Sequence, residues 1–130
     1  MEYIKIFRKA GEPTRAAPLE LCELAKQQLS IWSDQPLIKM HDRINRQIAE
    51  RDRFEFLAVD KGTVKAMLII CIEREEIHTG EDCLYTMLAF SPEPGFLKEG
   101  YKAMKQLARD LKIPYVHFSR HPETFRKVKQ

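Results

Sequence analysis

Residues 84–119, LYTMLAFSPEPGFLKEGYKAMKQLARDLKIPYVHFS, decide how this chain is read. Leu84–Phe90 is an apolar segment of strand length, and Ser91-Pro92-Glu93-Pro94-Gly95 is dense in turn formers. Leu97, Tyr101, Met104, Ala108 and Leu111 then recur at helical spacing, with Lys98, Lys102, Lys105 and Arg109 on the opposite side. Pro114-Tyr115-Val116-His117-Phe118-Ser119 reads as a strand, because Tyr, Val and Phe favour a pleated surface and proline is tolerated at a strand start. A strand, a glycine-containing loop, a helix and a second strand form the unit on which α/β proteins seat phosphate-bearing ligands. The helix start offers unpaired N–H groups and a partial positive charge.

Working outward, Glu2–Arg8 supplies the aromatic and β-branched bulk of a first strand, and Gly11, Pro13 and Pro18 interrupt the chain after it. Leu21, Leu24, Ala25, Leu29 and Trp32 predict a helix from Leu19 to Trp32, and Leu37, Met40, His41, Ile44 and Ile48 predict a second. His41, on that apolar face, reads as a satisfied core histidine. Phe54–Val59, the turn Asp60-Lys61-Gly62 and Val64–Ile72 read as a hairpin, followed after His78–Asp82 by Cys83–Phe90. A short helix from Pro122 to the end completes the predicted order β-α-α-β-β-β-α-β-α. The class is α/β (α+β): one domain over residues 1–130, with a mixed, mainly antiparallel sheet of about five strands and helices on both faces.

Composition narrows the function classes. Apolar residues at 44% and charged residues at 32% describe a globular domain and exclude intrinsic disorder. The longest apolar run, Ala66–Ile72, is too short to cross a bilayer, and the N-terminus lacks the pattern of a signal peptide. A soluble, non-secreted, cytoplasmic protein without a membrane partner is expected. Cys22, Cys71 and Cys83 lie in apolar patterns and read as buried thiols; His117 and His121 straddle a strand end beside Pro122, so no metal site is expected. Residues 98–130 hold nine Lys/Arg against three Asp/Glu, a charge of +6, while residues 1–97 carry −3.

The element order, with its glycine-containing loop between the fourth strand and third helix, resembles the GNAT N-acetyltransferases over nearly the whole chain. In that family the loop reads Arg/Gln-x-x-Gly-x-Gly/Ala and holds the pyrophosphate of acetyl-CoA. Aligning Pro92 with the proline that opens the family loop puts Gly95 at the Arg/Gln position, Lys98 at the first glycine and Gly100 at the last small residue. The resemblance thus implies Phe90, Gly95, Lys98 and Gly100 as the acyl-CoA contacts. The family's tyrosine in the last helix has no counterpart in Pro122–Gln130; Tyr101 and Tyr115 are the nearest tyrosines, and Tyr101 reads as core. Glu73, Glu75 and Glu76 are candidate bases that read more simply as a solvated acidic run. The C-terminal β-hairpin usual in the family is missing from the predicted order.

Two readings follow. In the favoured one the chain is a non-catalytic assembly protein without a cofactor, similar to small GNAT-like products of tailed bacteriophages associated with virion morphogenesis. Other protein chains, or copies of itself, then cover the last strand through Tyr115, Arg120, Phe125, Arg126, Lys127 and Lys129, since an uncovered edge is a hazard. The alternative is an acyl-CoA-dependent N-acyltransferase with an atypical loop. Nucleic acid is a weaker third partner, because the lysines of the third helix read as a solvated face and aromatic residues among them are few.

Overall fold

The computed structural model describes residues 1–118 and 125–128. Its strands are β1 (Glu2–Arg8), β2 (Arg53–Asp60), β3 (Thr63–Glu73), β4 (Cys83–Phe90), β5 (Tyr115–His117) and β6 (Phe125–Lys127). Its helices are α1 (Leu19–Gln28), α2 (Leu37–Ala49) and α3 (Phe96–Asp110). The sheet runs β1-β2-β3-β4-β5-β6, antiparallel throughout except where α3 carries the chain across to lay β5 parallel to β4. This is the predicted class, with one strand more than the five expected.

Strand alternation divides the core between two faces. Leu57, Met67, Ile69, Cys71 and Phe90 meet Leu21, Ala25, Met40, Ile44 and Ile48 of α1 and α2. Phe56, Ala58, Leu68, Ile70 and Leu84 meet Phe96, Met104 and Ala108 of α3. The face α3 presents is Phe96, Gly100, Met104 and Ala108, turned by about one residue from the predicted stripe. Leu97 and Tyr101 are therefore only half-buried, and Leu111 is exposed. Gly100 lets the helix settle onto the sheet: a Cβ there would lie 2.7 Å from Leu68 Cδ2 and 3.0 Å from Phe56 Cδ1.

The first predicted helix ends early. After Gln28 the chain extends at Leu29 and turns once through Ser30–Trp32, where Ser33 Oγ donates to Ser30 O (2.9 Å) and Gln35 Nε2 to Ile31 O (3.2 Å). Side-chain bonds to backbone of this kind compete with helix continuation.

The larger correction is at the C-terminus. The predicted closing helix is replaced over Phe125–Lys127 by β6, antiparallel to β5, and Val128 beyond it is buried in the α3-side core with its N–H donating to Pro114 O (2.8 Å). Pairing satisfies the open backbone groups of β5, which outweighs the local helix signal of Pro122 and Glu123. The edge expected to need another chain is thus taken by this one. Of the residues assigned to a partner there, Tyr115 is half-buried in β5 and Lys127 exposed in β6; Phe125 and Arg126 belong to the β6 backbone; Arg120 and Lys129, like His121, lie outside the described residues.

The cysteines are free and buried, and burial pushes the Cys22 thiol up to about 11. Burial, with Glu76 and Glu73 nearby, lifts Cys83 to about 12. Both are inert thiols at neutral pH.

Candidate functional site

The sheet opens beside β4. β5 pairs only with Cys83, Leu84 and Tyr85, so from Thr86 to Phe90 β4 keeps β3 on one side and, among the described residues, has no strand on the other. A bulge lies in the same stretch: Ile69 faces Leu88 while Ile70 faces Thr86, leaving Met87 as the extra residue. Met87 and Leu88 consequently both pack toward α1 and α2, and Ala89 toward the α3 side.

Beside this open half lies a cavity of about 480 Å³ whose walls include Trp32, Gln35, Arg43, Gln47, Thr86 and Phe118. Arg43 is its one lining cation, held by a hydrogen bond from its guanidinium to Gln35 Oε1, and no carboxylate or histidine lines it among the described residues. Tyr101 of α3 packs half-buried against the α3-side core, edge-on to Phe118 at 5.1 Å and beside Thr86, both of which line the cavity. Burial holds that phenol above its usual range, with the Thr86 bond opposing. Read as core from the sequence, Tyr101 does pack against that core, half-buried.

At the far end of β4 the loop closes on itself: Ser91 Oγ accepts from Glu93 N (2.9 Å) and donates to Glu93 O (3.0 Å). Gly95 then turns through φ 81° to start α3, a conformation that favours glycine, and no side chain caps the helix. Phe96 N reaches Glu93 O at a long 3.4 Å, and the first-turn amides of Leu97 and Lys98 have no intrahelical acceptor. Lys98 is exposed beside them.

The four residues assigned to acyl-CoA therefore divide. Gly95 and Lys98 stand together at the open start of α3, Phe90 is buried among the α1 and α2 contacts, and Gly100 faces the sheet. The acidic run Glu73, Glu75 and Glu76 lies at the β3–β4 turn, the end of β4 away from this loop. Glu76 is not solvated as expected: buried to 2%, it accepts from the N–H groups of His78 (2.8 Å) and Thr79 (2.9 Å) and bonds His78 Nδ1. Desolvation opposes its charge, but these donors outweigh it and hold the carboxyl below the ordinary 4.5. A group with a depressed pKa stabilises the fold above its unfolded value and loses that contribution as the pH falls through the folded one. Stability is thus expected to drop on acidification below about 4.5, more steeply in the native protein than in Glu76→Gln, when unfolding is followed across pH by circular dichroism. His41 is half-buried, with Nδ1 3.2 Å from Asp42 Oδ1. No group of metal-ligating side chains occurs among the described residues.

No protein-family model matches the chain, and no curated protein matches it. Solved structures do. A predicted acetyltransferase from Clostridium acetobutylicum, described with acetyl-CoA, superposes with a TM-score of 0.54 at 14% identity, over 89% of this chain and 81% of that one. An aminoglycoside acetyltransferase from an uncultured soil metagenomic sample gives 0.54 at 14%, over 95% and 84%. A ribosomal-protein-alanine N-acetyltransferase from Brucella melitensis biovar Abortus 2308 gives 0.51 at 12%, over 95% and 84%. At such identities the likeness shows the fold, which is GNAT-like. These structures are described as acetyltransferases, and the likeness lends no support to the expectation of a phage assembly protein. Nor is any helix among the described residues long and apolar enough to cross a membrane.

Proposed function

We propose that this chain binds an acyl-CoA in the opening between β4 and β5 and transfers its acyl group to an amine. The observation that carries this reading is the conjunction of a bulged half-strand open on one side among the described residues, a cavity beside it and an uncapped helix start at its end. The residues present fit the group: the amides of Leu97 and Lys98 and the Lys98 ammonium suit a diphosphate, and the cavity offers room to a slender chain. Acyl-CoA supplies a thioester already activated for attack, so the protein's task is chiefly to align the amine and handle protons. Tyr101 Oη, kept protonated by burial and packed beside the cavity-lining Thr86 and Phe118, is the group assigned here to give a proton to a departing thiolate. With no base among the described residues lining the cavity, the amine enters neutral and releases its proton to water. Pro92 and Pro94 bring no N–H to the loop, which places the anchoring burden on Lys98 and the first helical turn.

The assembly reading loses its main structural motive with β6 seated on β5. Calorimetric titration tests the choice. Acetyl-CoA is expected to bind, and Lys98→Glu to weaken it by about tenfold or more, since reversing one charge beside a diphosphate costs at least ~1.4 kcal/mol. Lys98 is exposed and an acidic residue in a first helical turn is favourable, so the melting temperature should not fall. Equal affinity in both proteins would remove the α3 start from the site.

A further inference from the structure

β1 ends the sheet, and no strand among the described residues pairs with its outer side. It is a seven-residue edge, Glu2-Tyr3-Ile4-Lys5-Ile6-Phe7-Arg8, carrying two large exposed aromatics: Tyr3 at 43% and Phe7 at 50%. Both continue an aromatic row on the α3 face, where Tyr3 lies edge-on to Phe56 (5.6 Å) and Phe96 (5.5 Å), and Phe7 is tilted on Phe54 (5.0 Å). On the other face Ile4, Ile6 and Arg8 are half-buried. Arg8 stands directly opposite Arg53, which takes Glu55 as its own partner, and Arg8 Nε is buried with no hydrogen-bond acceptor among the described residues. An open edge, exposed aromatics and a guanidinium whose Nε has no acceptor among the described residues occur on one strand.

The strand's sequence supplies what it lacks. When two copies pair antiparallel through this edge, residues facing each other must lie on the same face, which limits the symmetric registers to those centred on a residue. Centred on Lys5, Glu2 of one copy faces Arg8 of the other, Tyr3 faces Phe7 and Ile4 faces Ile6, each pairing occurring twice across the two-fold axis. Centred on Ile4, Tyr3 faces Lys5 and Arg8 has no partner within the strand; centred on Ile6, Arg8 faces Ile4 and Phe7 faces Lys5. Only the Lys5 register matches opposite charges and aromatic pairs together. Its one like-charged contact, Lys5 against its copy, is on the exposed side.

We infer that the partner of this edge is a second copy of the chain, joined β1 to β1 in the Lys5-centred register so that the two sheets become one and Glu2 of each copy answers Arg8 of the other. The self-association expected at the last strand is thereby moved to the first. Light scattering coupled to size exclusion, over a concentration series, should give twice the 15.3 kDa chain mass. Glu2→Arg and Arg8→Glu should each raise the dimer dissociation constant by about tenfold or more, since each leaves two like-charged pairs in the interface. The double exchange Glu2→Arg with Arg8→Glu restores the pairing and should restore the dimer. Circular dichroism checks the fold, and Glu2→Arg, at an exposed position, decides alone if Arg8→Glu unfolds. A monomer at every concentration, or a dimer indifferent to Glu2→Arg, would overturn the inference.

Discussion

Replacing Arg53 by alanine is expected to cost about 3–5 kcal/mol of unfolding free energy, a large share of the ~5–15 kcal/mol that holds a domain together. Arg53 is fully buried. Its Nε donates to Glu55 Oε2 (2.8 Å), and its terminal nitrogens donate to the carbonyls of Glu12 (2.8 Å), Pro13 (3.2 Å), Lys9 (3.3 Å), Arg51 (3.3 Å) and Ala49 (3.5 Å). One guanidinium thus ties the β1–α1 connection to the end of α2 and the start of β2. Removing it leaves the Glu55 carboxylate, 2% exposed, with Thr14 Oγ1 (2.8 Å) as its remaining donor, beside carbonyls that no other side chain reaches to replace. Arg53→Lys should recover only part of the loss, because a single ammonium cannot reproduce the planar fork. Urea unfolding measures both; a cost under about 1 kcal/mol for the alanine variant would show that water substitutes for the guanidinium.

The second large effect comes from two acidic substitutions on α3, two residues apart and opposite in consequence. Gly100→Glu forces a carboxylate between Leu68 and Phe56 where even a Cβ meets an atom at 2.7 Å, and should destabilise the fold by more than about 3 kcal/mol. Lys98→Glu points into water and should leave stability unchanged while weakening acyl-CoA. Loss of ligand binding in Gly100→Glu would therefore report unfolding, so that variant is no probe of the loop. Thermal melts separate the cases: a Gly100→Glu protein melting with the native one would mean that α3 does not lie as close to β3 as the structure has it.

What the residues declared and what they withheld follow a physical line. α2, the β2–β3 hairpin, β4 and α3 were legible because each writes a period or a turn into consecutive residues. β6 was not: three residues carry no period, and its existence depends on the open edge of β5, a tertiary fact. Arg53 went unremarked because its acceptors at Lys9, Glu12 and Pro13 lie forty or more residues away along the chain. Glu76 read as solvated because nothing in Glu73–Glu76 tells which carboxylate the following turn will fold over. Gly100 could have been found, since Phe96, Gly100, Met104 and Ala108 recur every four residues, and the predicted face was turned because it left out both Phe96 and Gly100. The cavity was hidden for a related reason: the bulge at Met87 shifts the alternation of β4 by one, and a run as apolar as Leu84–Phe90 does not display that shift.

The central claim is that acyl-CoA lies in the opening beside β4 with its diphosphate at the start of α3. Amide chemical-shift mapping during titration with acetyl-CoA tests it most directly. The account predicts perturbations concentrated at Gly95–Lys98 and at Thr86–Ala89, saturating together. An absence of shifts in the folded protein, or shifts confined to other parts of the sheet, would contradict it.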